Sequence, residues 1–225
     1  MIRRLLCVAV ALAVALPAPA LTLTVDPVAG TPGGNPTNSI SDALSQINAG
    51  PDAVNTVQLV STAVHVVPNA QVWSINAGKT VNIVAQSGRP VIRLSSGSTG
   101  NLRLAVPDLA VLTVTGIDII PQTGIAYANN ANDSIYASAN GLISAQTVQG
   151  GQITFTDCIF SANDGSDAPA GLVPFNNSGN NFGDDLIQAR TIHITFSNCL
   201  ITGVWDDAIL QGADGTLVAL SLIHI

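Results

Sequence analysis

Three segments of the chain repeat one pattern of apolar and polar positions. LTVTGIDI at Leu112–Ile119, ITFTDCIF at Ile153–Phe160 and ITFSNCLI at Ile194–Ile201 align without a gap, their successive starts 41 residues apart. In each, the first and third positions are apolar and a threonine stands between them. This is period-two patterning, in which alternate side chains face opposite sides of a strand and one side is buried. The fifth position is Gly116, then Asp157, then Asn198. These residue types best tolerate a positive φ, so the pattern predicts two strands joined by a left-handed corner.

A shorter interval shows the size of one turn of the repeat. The stretch Gly183–Gln211 reads GDDLIQARTIHITFSNCLITGVWDDAILQ, with an Asp pair and an apolar run at each end. Asp185 and Asp207 lie 22 residues apart, the length of one coil in a solenoid whose repeats stack on each other. The excess in the 41-residue copies falls in Pro121–Asn140 and Ser161–Gly183, both rich in Asn, Gly, Ser and Ala. These segments lack sustained periodicity and read as long loops leaving adjacent coils at the same corner. They are expected to form a wall beside stacked GLIS, DLIQ and AILQ strands.

Strand-like runs recur earlier in the chain as LTLTV at Leu21, TVQLV at Thr56, VHVV at Val64, TVNIVAQ at Thr80, PVIRL at Pro90 and LRLAV at Leu102. Their spacing, roughly 24 to 30 residues, predicts coils less regular than the later ones. NSISDALSQINAG predicts a helix over about 39–49, with Ser39 or Ser41 as cap and Gly50–Pro51 as stop. Ile40, Ala43, Leu44 and Ile47 share one of its faces. Such a helix covers the open apolar end of a solenoid or packs on its side.

The two ends of the chain read differently. Arg3 and Arg4, an apolar core over Leu5–Leu16 and Ala18-Pro19-Ala20 form a secretory signal over residues 1–20. The apolar run is too short for a permanent membrane anchor. The expected location is therefore secreted or cell surface, by bacterial export. LSLIHI at residues 220–225 follows no coil pattern and is similar to the translated end of a sequencing-library adapter. The expectation is one β-helix domain over 21–219, cut short at its C-terminal end.

Composition narrows the partners. All 14 acidic residues are Asp, and Lys79 is the only lysine. Removing residues 1–20 takes two of the seven basic residues and no acidic one, which leaves a net charge of −9. Without clustered Lys and Arg, nucleic-acid binding is not expected. Low charge and few aromatics fit parallel strands buried inside a coil.

Coil size, strand-corner-strand pattern and helical cap together resemble the right-handed parallel β-helices of the pectate-lyase-like superfamily. The resemblance implies an all-β fold, a right-handed parallel β-helix with a short N-terminal capping helix. A narrower similarity is to polygalacturonase-type glycoside hydrolases, which carry Asn-Thr-Asp on one coil and Asp-Asp on the next, then Gly-His-Gly and Arg-x-Lys. Asp206 and Asp207 in VWDDAIL match the Asp-Asp, and Asp185 in FGDDLIQ matches the Asp one coil earlier. Gly183-Asp184 replaces the Asn-Thr, and the later elements would lie past the end of this sequence. SISDALSQINA also resembles the cap of bacterial surface β-helix proteins and autotransporter passengers.

Several chemistries fit the Asp cluster. Coils stack about 4.8 Å apart, so Asp184 and Asp185 are expected near Asp206 and Asp207. Mutual repulsion would raise the pKa of one carboxyl, and the hydrolase resemblance makes Asp206 or Asp207 the acid and Asp185 the residue activating water, an inverting scheme. The same oxygens suit Ca²⁺, and Asp is equally at home in solvated turns. Asn163–Asp167 also suggests calcium. Trp205 is placed to stack on a sugar, and Arg190 is the nearest base for a calcium-dependent lyase. Cys158 and Cys199 occupy equivalent positions one coil apart, as a disulfide or as two buried thiols. His193 is expected to face outward, and Trp73 has no supporting context. The reading is of a monomer presenting a face to polysaccharide or cell-surface glycan, with the inverting hydrolase as the alternative.

Overall fold

The computed structural model describes residues 20–68, 71–94, 102–121, 135–141, 149–161, 185–202, 207–211 and 216–224. The chain opens with β1 (Leu21–Val25) and α1 (Ile40–Ala49), then winds through β2 (Val54–Leu59), β3 (His65–Val67) and β4 (Val72–Ser74). The next circuits are β5 (Thr80–Ala85), β6 (Val91–Leu94) and β7 (Leu102–Ala105), then β8 (Val111–Thr115), β9 (Asp118–Pro121) and β10 (Ile135–Ser138). After these come β11 (Gln152–Thr156), β12 (Ile159–Ser161) and β13 (Asp185–Ala189). The last are β14 (His193–Thr202), β15 (Asp207–Gln211) and β16 (Thr216–His224).

Every pairing between these strands is parallel, and each strand pairs with its counterpart on the next circuit. Three rows result. One is β1-β2-β5-β8-β11-β14, a second is β3-β6-β9-β12-β14, and a third is β4-β7-β10-β13-β15. The long strand β14 turns the corner between the first two rows and joins them into one sheet, which curls through 269°. The result is a solenoid of parallel coils, mostly β with one helix, as a β-helix requires. Val54, Thr80, Val111, Gln152, His193 and Thr216 stand in one column, so successive coils advance 26, 31, 41, 41 and 23 residues. The 41-residue spacing is therefore that of the two coils that carry the long inserts. β16 continues through Leu220–His224 in register with Ser197–Ile201.

The inward columns form the core. Val57, Ile83, Val114, Phe155 and Phe196 stack in one line, each no more than 2% exposed. Phe155 and Phe196 stack with ring centroids 5.3 Å apart, and Phe160 meets both edge-on from the second row. Burying side chains of this kind contributes about 1.5–3 kcal/mol each. α1 caps with Ser39, whose hydroxyl accepts from the Asp42 N–H, and stops at Gly50. Its buried face is Ile40, Ala43, Leu44 and Ile47, packed on β1, β2 and β4. Because β1 and β4 are edge strands of their sheets, the helix covers the open end of the stack. Lys79 secures it there, its Nζ donating to the Gly50 carbonyl at 2.8 Å and to the Asp52 carbonyl at 2.9 Å.

The corners carry the backbone strain. Gly116, Asp157 and Asn198 have φ of 70°, 52° and 52°, as the repeat pattern predicts. A second left-handed corner precedes the first row at Gly78, Leu109 and Thr191, with φ of 77°, 63° and 51°. Leu and Thr carry no turn signature, so sequence patterning does not reveal it. On the coil between them, Gly150 and Gly151 make the same passage. A Cβ on Gly151 would lie 2.1 Å from the Ala110 carbonyl oxygen. One expected stacking differs. The strand beneath DLIQ is IYAS at Ile135–Ser138, not GLIS, because Ile135 is the register partner of Ile187.

Leu109 is 75% exposed, so it contributes strain and almost no packing. Leu109→Gly should stabilise the fold by roughly 1 kcal/mol, the lower end of the cost of a left-handed non-glycine residue. Phe155→Ala should destabilise it by about 3–5 kcal/mol. Urea unfolding midpoints that move in the same direction for both would contradict this division between corner and core.

Candidate functional site

The long inserts mark one edge of the third row. They separate Pro121 from Ile135 and Ser161 from Asp185, whereas only four residues separate Thr202 from Asp207. Both therefore enter the third row at the start of a strand. At that edge the structure brings together two of the expected site residues: Asp185 and Asp207 are register partners on β13 and β15. One strand spacing, about 4.8 Å, separates their backbones. Asp184, Trp205, Asp206 and Asn163–Asp167 lie outside the described residues. Arg190 follows β13 and is exposed, its N–H donating to the Ala137 carbonyl at 3.0 Å.

The register also exposes a repeat that the patterning overlooked. Ile135, Ile187 and Ile209 stack, and in the sequence an Asp stands two positions before each: Asp133, Asp185 and Asp207. Asp133 itself lies outside the described residues. One residue beyond the isoleucines, Tyr136 on β10 has Arg103 on β7 and Gln188 on β13 as partners. Tyr136 is half-buried between the buried Ile135 and Ala137, so its ring faces away from the core, and the same alternation turns Arg103 outward. An aromatic ring beside a guanidinium, on a row fringed by carboxylates, suits a hydroxyl-rich ligand with an apolar ring face. The short strands LRLA and IYAS give too little periodicity for sequence reasoning to find these two residues.

Other expected groups are accounted for. Cys158 and Cys199 are buried free thiols, each Sγ donating at 3.4 Å to a carbonyl of the neighbouring coil, Val114 and Phe155. The hydrogen bond between the two thiols, with burial added, pushes Cys158 well up. His193 faces outward between the buried Ile192 and Ile194, with its Nε2 3.2 Å from Gln149 Nε2. Trp73 is a core residue, 3% exposed. Among the described residues no group of three His, Cys or Asp side chains is placed to hold a metal ion. No helix among them is long and apolar enough to cross a membrane.

A cavity of about 230 Å³ opens beside the cap helix between Ser39, Ser41, His65, Gln71 and Trp73. His65 is 3% exposed and its Nε2 lies 2.7 Å from the Val60 carbonyl, while Nδ1 has no partner. Burial pulls its pKa below 6.5, opposed by the Val60 hydrogen bond and the charge of Asp26. No family model, curated protein or solved structure matches the chain.

A native pKa depressed below 6.5 means that the unfolded chain takes up a proton which the folded chain excludes. His65 therefore leaves stability intact above pH 6.5 and lowers it as the pH falls from there. Asp26 and Asp42 are held below 3.8, chiefly by backbone N–H donors and by the Thr37 hydroxyl respectively, so they act only in stronger acid. The melting temperature should fall between pH 7 and 5, and His65→Gln should flatten that fall. An unchanged slope in the variant would remove His65 as its source.

Proposed function

We propose that the chain is an exported, monomeric parallel β-helix module, wound right-handed as in the pectate-lyase-like superfamily, that binds polysaccharide or cell-surface glycan without catalysis. One observation carries this reading: the outward pair Tyr136 and Arg103 lies in a single row beside the Asp185–Asp207 edge, where both long inserts enter. Glycans are met by such aromatic faces, with charged and amide groups fixing their hydroxyls. The signal-like segment at residues 1–20 supports export, and the −9 charge of the remainder favours neutral glycans, or anionic ones bridged by Ca²⁺.

The register of Asp185 with Asp207 favours a second reading, a glycoside hydrolase using Asp185, Asp206 and Asp207. The backbones of these register partners stand one strand spacing, about 4.8 Å, apart, against ~6.5–9.5 Å between the acid and base carboxyls of an inverting enzyme. In that scheme Asp206, rather than the stacked pair alone, has to supply one of the two groups.

A panel of neutral and acidic polysaccharides, tested by affinity electrophoresis with and without Ca²⁺, separates the readings. Binding by the full chain should weaken about tenfold in Tyr136→Ala, a loss near 1.4 kcal/mol. No retardation by any polysaccharide would remove the glycan reading. Release of reducing ends that disappears in Asp207→Asn would replace it with the hydrolase.

A further inference from the structure

The first row has an outward surface unlike the rest of the chain. Thr22, Thr56, Asn82, Thr113, Thr154 and Thr195 stand in one continuous column on β1, β2, β5, β8, β11 and β14. Each lies between two inward positions, and all are half-buried or exposed. Two residues along each strand is a second column, in which Thr24, Thr115, Thr156 and Ser197 carry hydroxyls and Gln58 and Val84 interrupt them. The segments of these six strands that form the row contain no Asp, Lys or Arg, although the chain has 14 Asp residues. No hydroxyl of the Thr in either column has a protein hydrogen-bond partner.

We propose that this face binds ice. Its geometry is a two-dimensional lattice, with hydroxyl-and-methyl groups about 4.8 Å apart between coils and about 6.7 Å apart along each strand. The oxygen rows on a prism plane of hexagonal ice repeat in two perpendicular directions at spacings of the same size. A surface that holds water in such rows must lack fixed charges, because ammonium and carboxylate groups orient their own hydration shells. It must also be stiff, and β-branched Thr on an in-register parallel sheet has restricted χ1 freedom. A crystalline polysaccharide is the other extended lattice a protein meets, but sugar faces are gripped by aromatic rings, and the aromatic residues of this row, Phe155 and Phe196, point into the core. The face is separate from the Tyr136 row, so the two ligands do not compete for one surface.

The test is thermal hysteresis together with adsorption of the fluorescently labelled full chain to a single ice crystal. The wild-type chain should show both. Thr154→Tyr, at the centre of the run Thr113–Thr154–Thr195, and Thr154→Lys, which adds a charge, should each abolish both while the melting temperature of the protein is kept. Tyr136→Ala should leave both unchanged. The proposal is overturned if the wild-type chain neither adsorbs to ice nor shows hysteresis, or if both substitutions at 154 leave them intact. Loss at 154 of binding to microcrystalline cellulose or chitin, with no effect on ice, would overturn it as well.

Discussion

Everything in this structure follows from stacking parallel strands in phase. Each residue sits one strand spacing from its counterpart on the next coil, so a position has the same environment all along the solenoid. An apolar column is buried along its whole length, and a charge placed in one would be buried between apolar neighbours. The line Val57–Ile83–Val114–Phe155–Phe196 shows the constraint obeyed, ending in stacked aromatic rings where the coils are most regular. His65 tests its limit. It occupies the inward column that continues as Ile92, Ile119, Phe160 and Ile201, and it fits only in the first coil, with a carbonyl of its own turn as partner.

The same constraint decides where the chain is free to vary. Strand lengths and corner geometry are fixed by the neighbours, but a connection between two rows can lengthen without disturbing the columns. Both long inserts use that freedom between the second and third rows, and the connection from Ser138 to Gln152 uses it between the third row and the first. The molecule thus separates two kinds of outer surface. The third row offers varied chemistry, Arg103 and Tyr136 with carboxylates at its edge. Along the first row one chemistry repeats, Thr upon Thr. A scaffold that repeats its residues repeats its surface as well.

How much of this the sequence discloses depends on whether a signal is local or columnar. The cap helix is local, with a Ser cap, an apolar face and a Gly stop, and it stands where the pattern puts it. The corner at Gly116, Asp157 and Asn198 is legible because small and Asx residues announce positive φ. At the matching corner of Leu109 and Thr191 the neighbouring coils impose the strain on residues that do not favour it. Sequence order also mistakes GLIS for the strand beneath DLIQ, since both are apolar runs after a polar loop. Only the register selects Ile135–Ser138. At the candidate site, Asp185 and Asp207 are legible from their shared apolar run, whereas Tyr136 and Arg103 become neighbours only when the coils are stacked.

The central claim, one residue above its counterpart on every coil, is a statement about distance. Nitroxide labels at Thr22→Cys and Thr195→Cys, with the native cysteines replaced, would stand five strand spacings apart along one column. Pulsed electron paramagnetic resonance should then give a single narrow distribution centred near 24 Å, the product of those spacings at about 4.8 Å each. A broad distribution, or one centred well away from that value, would contradict the columnar stacking on which both surfaces depend.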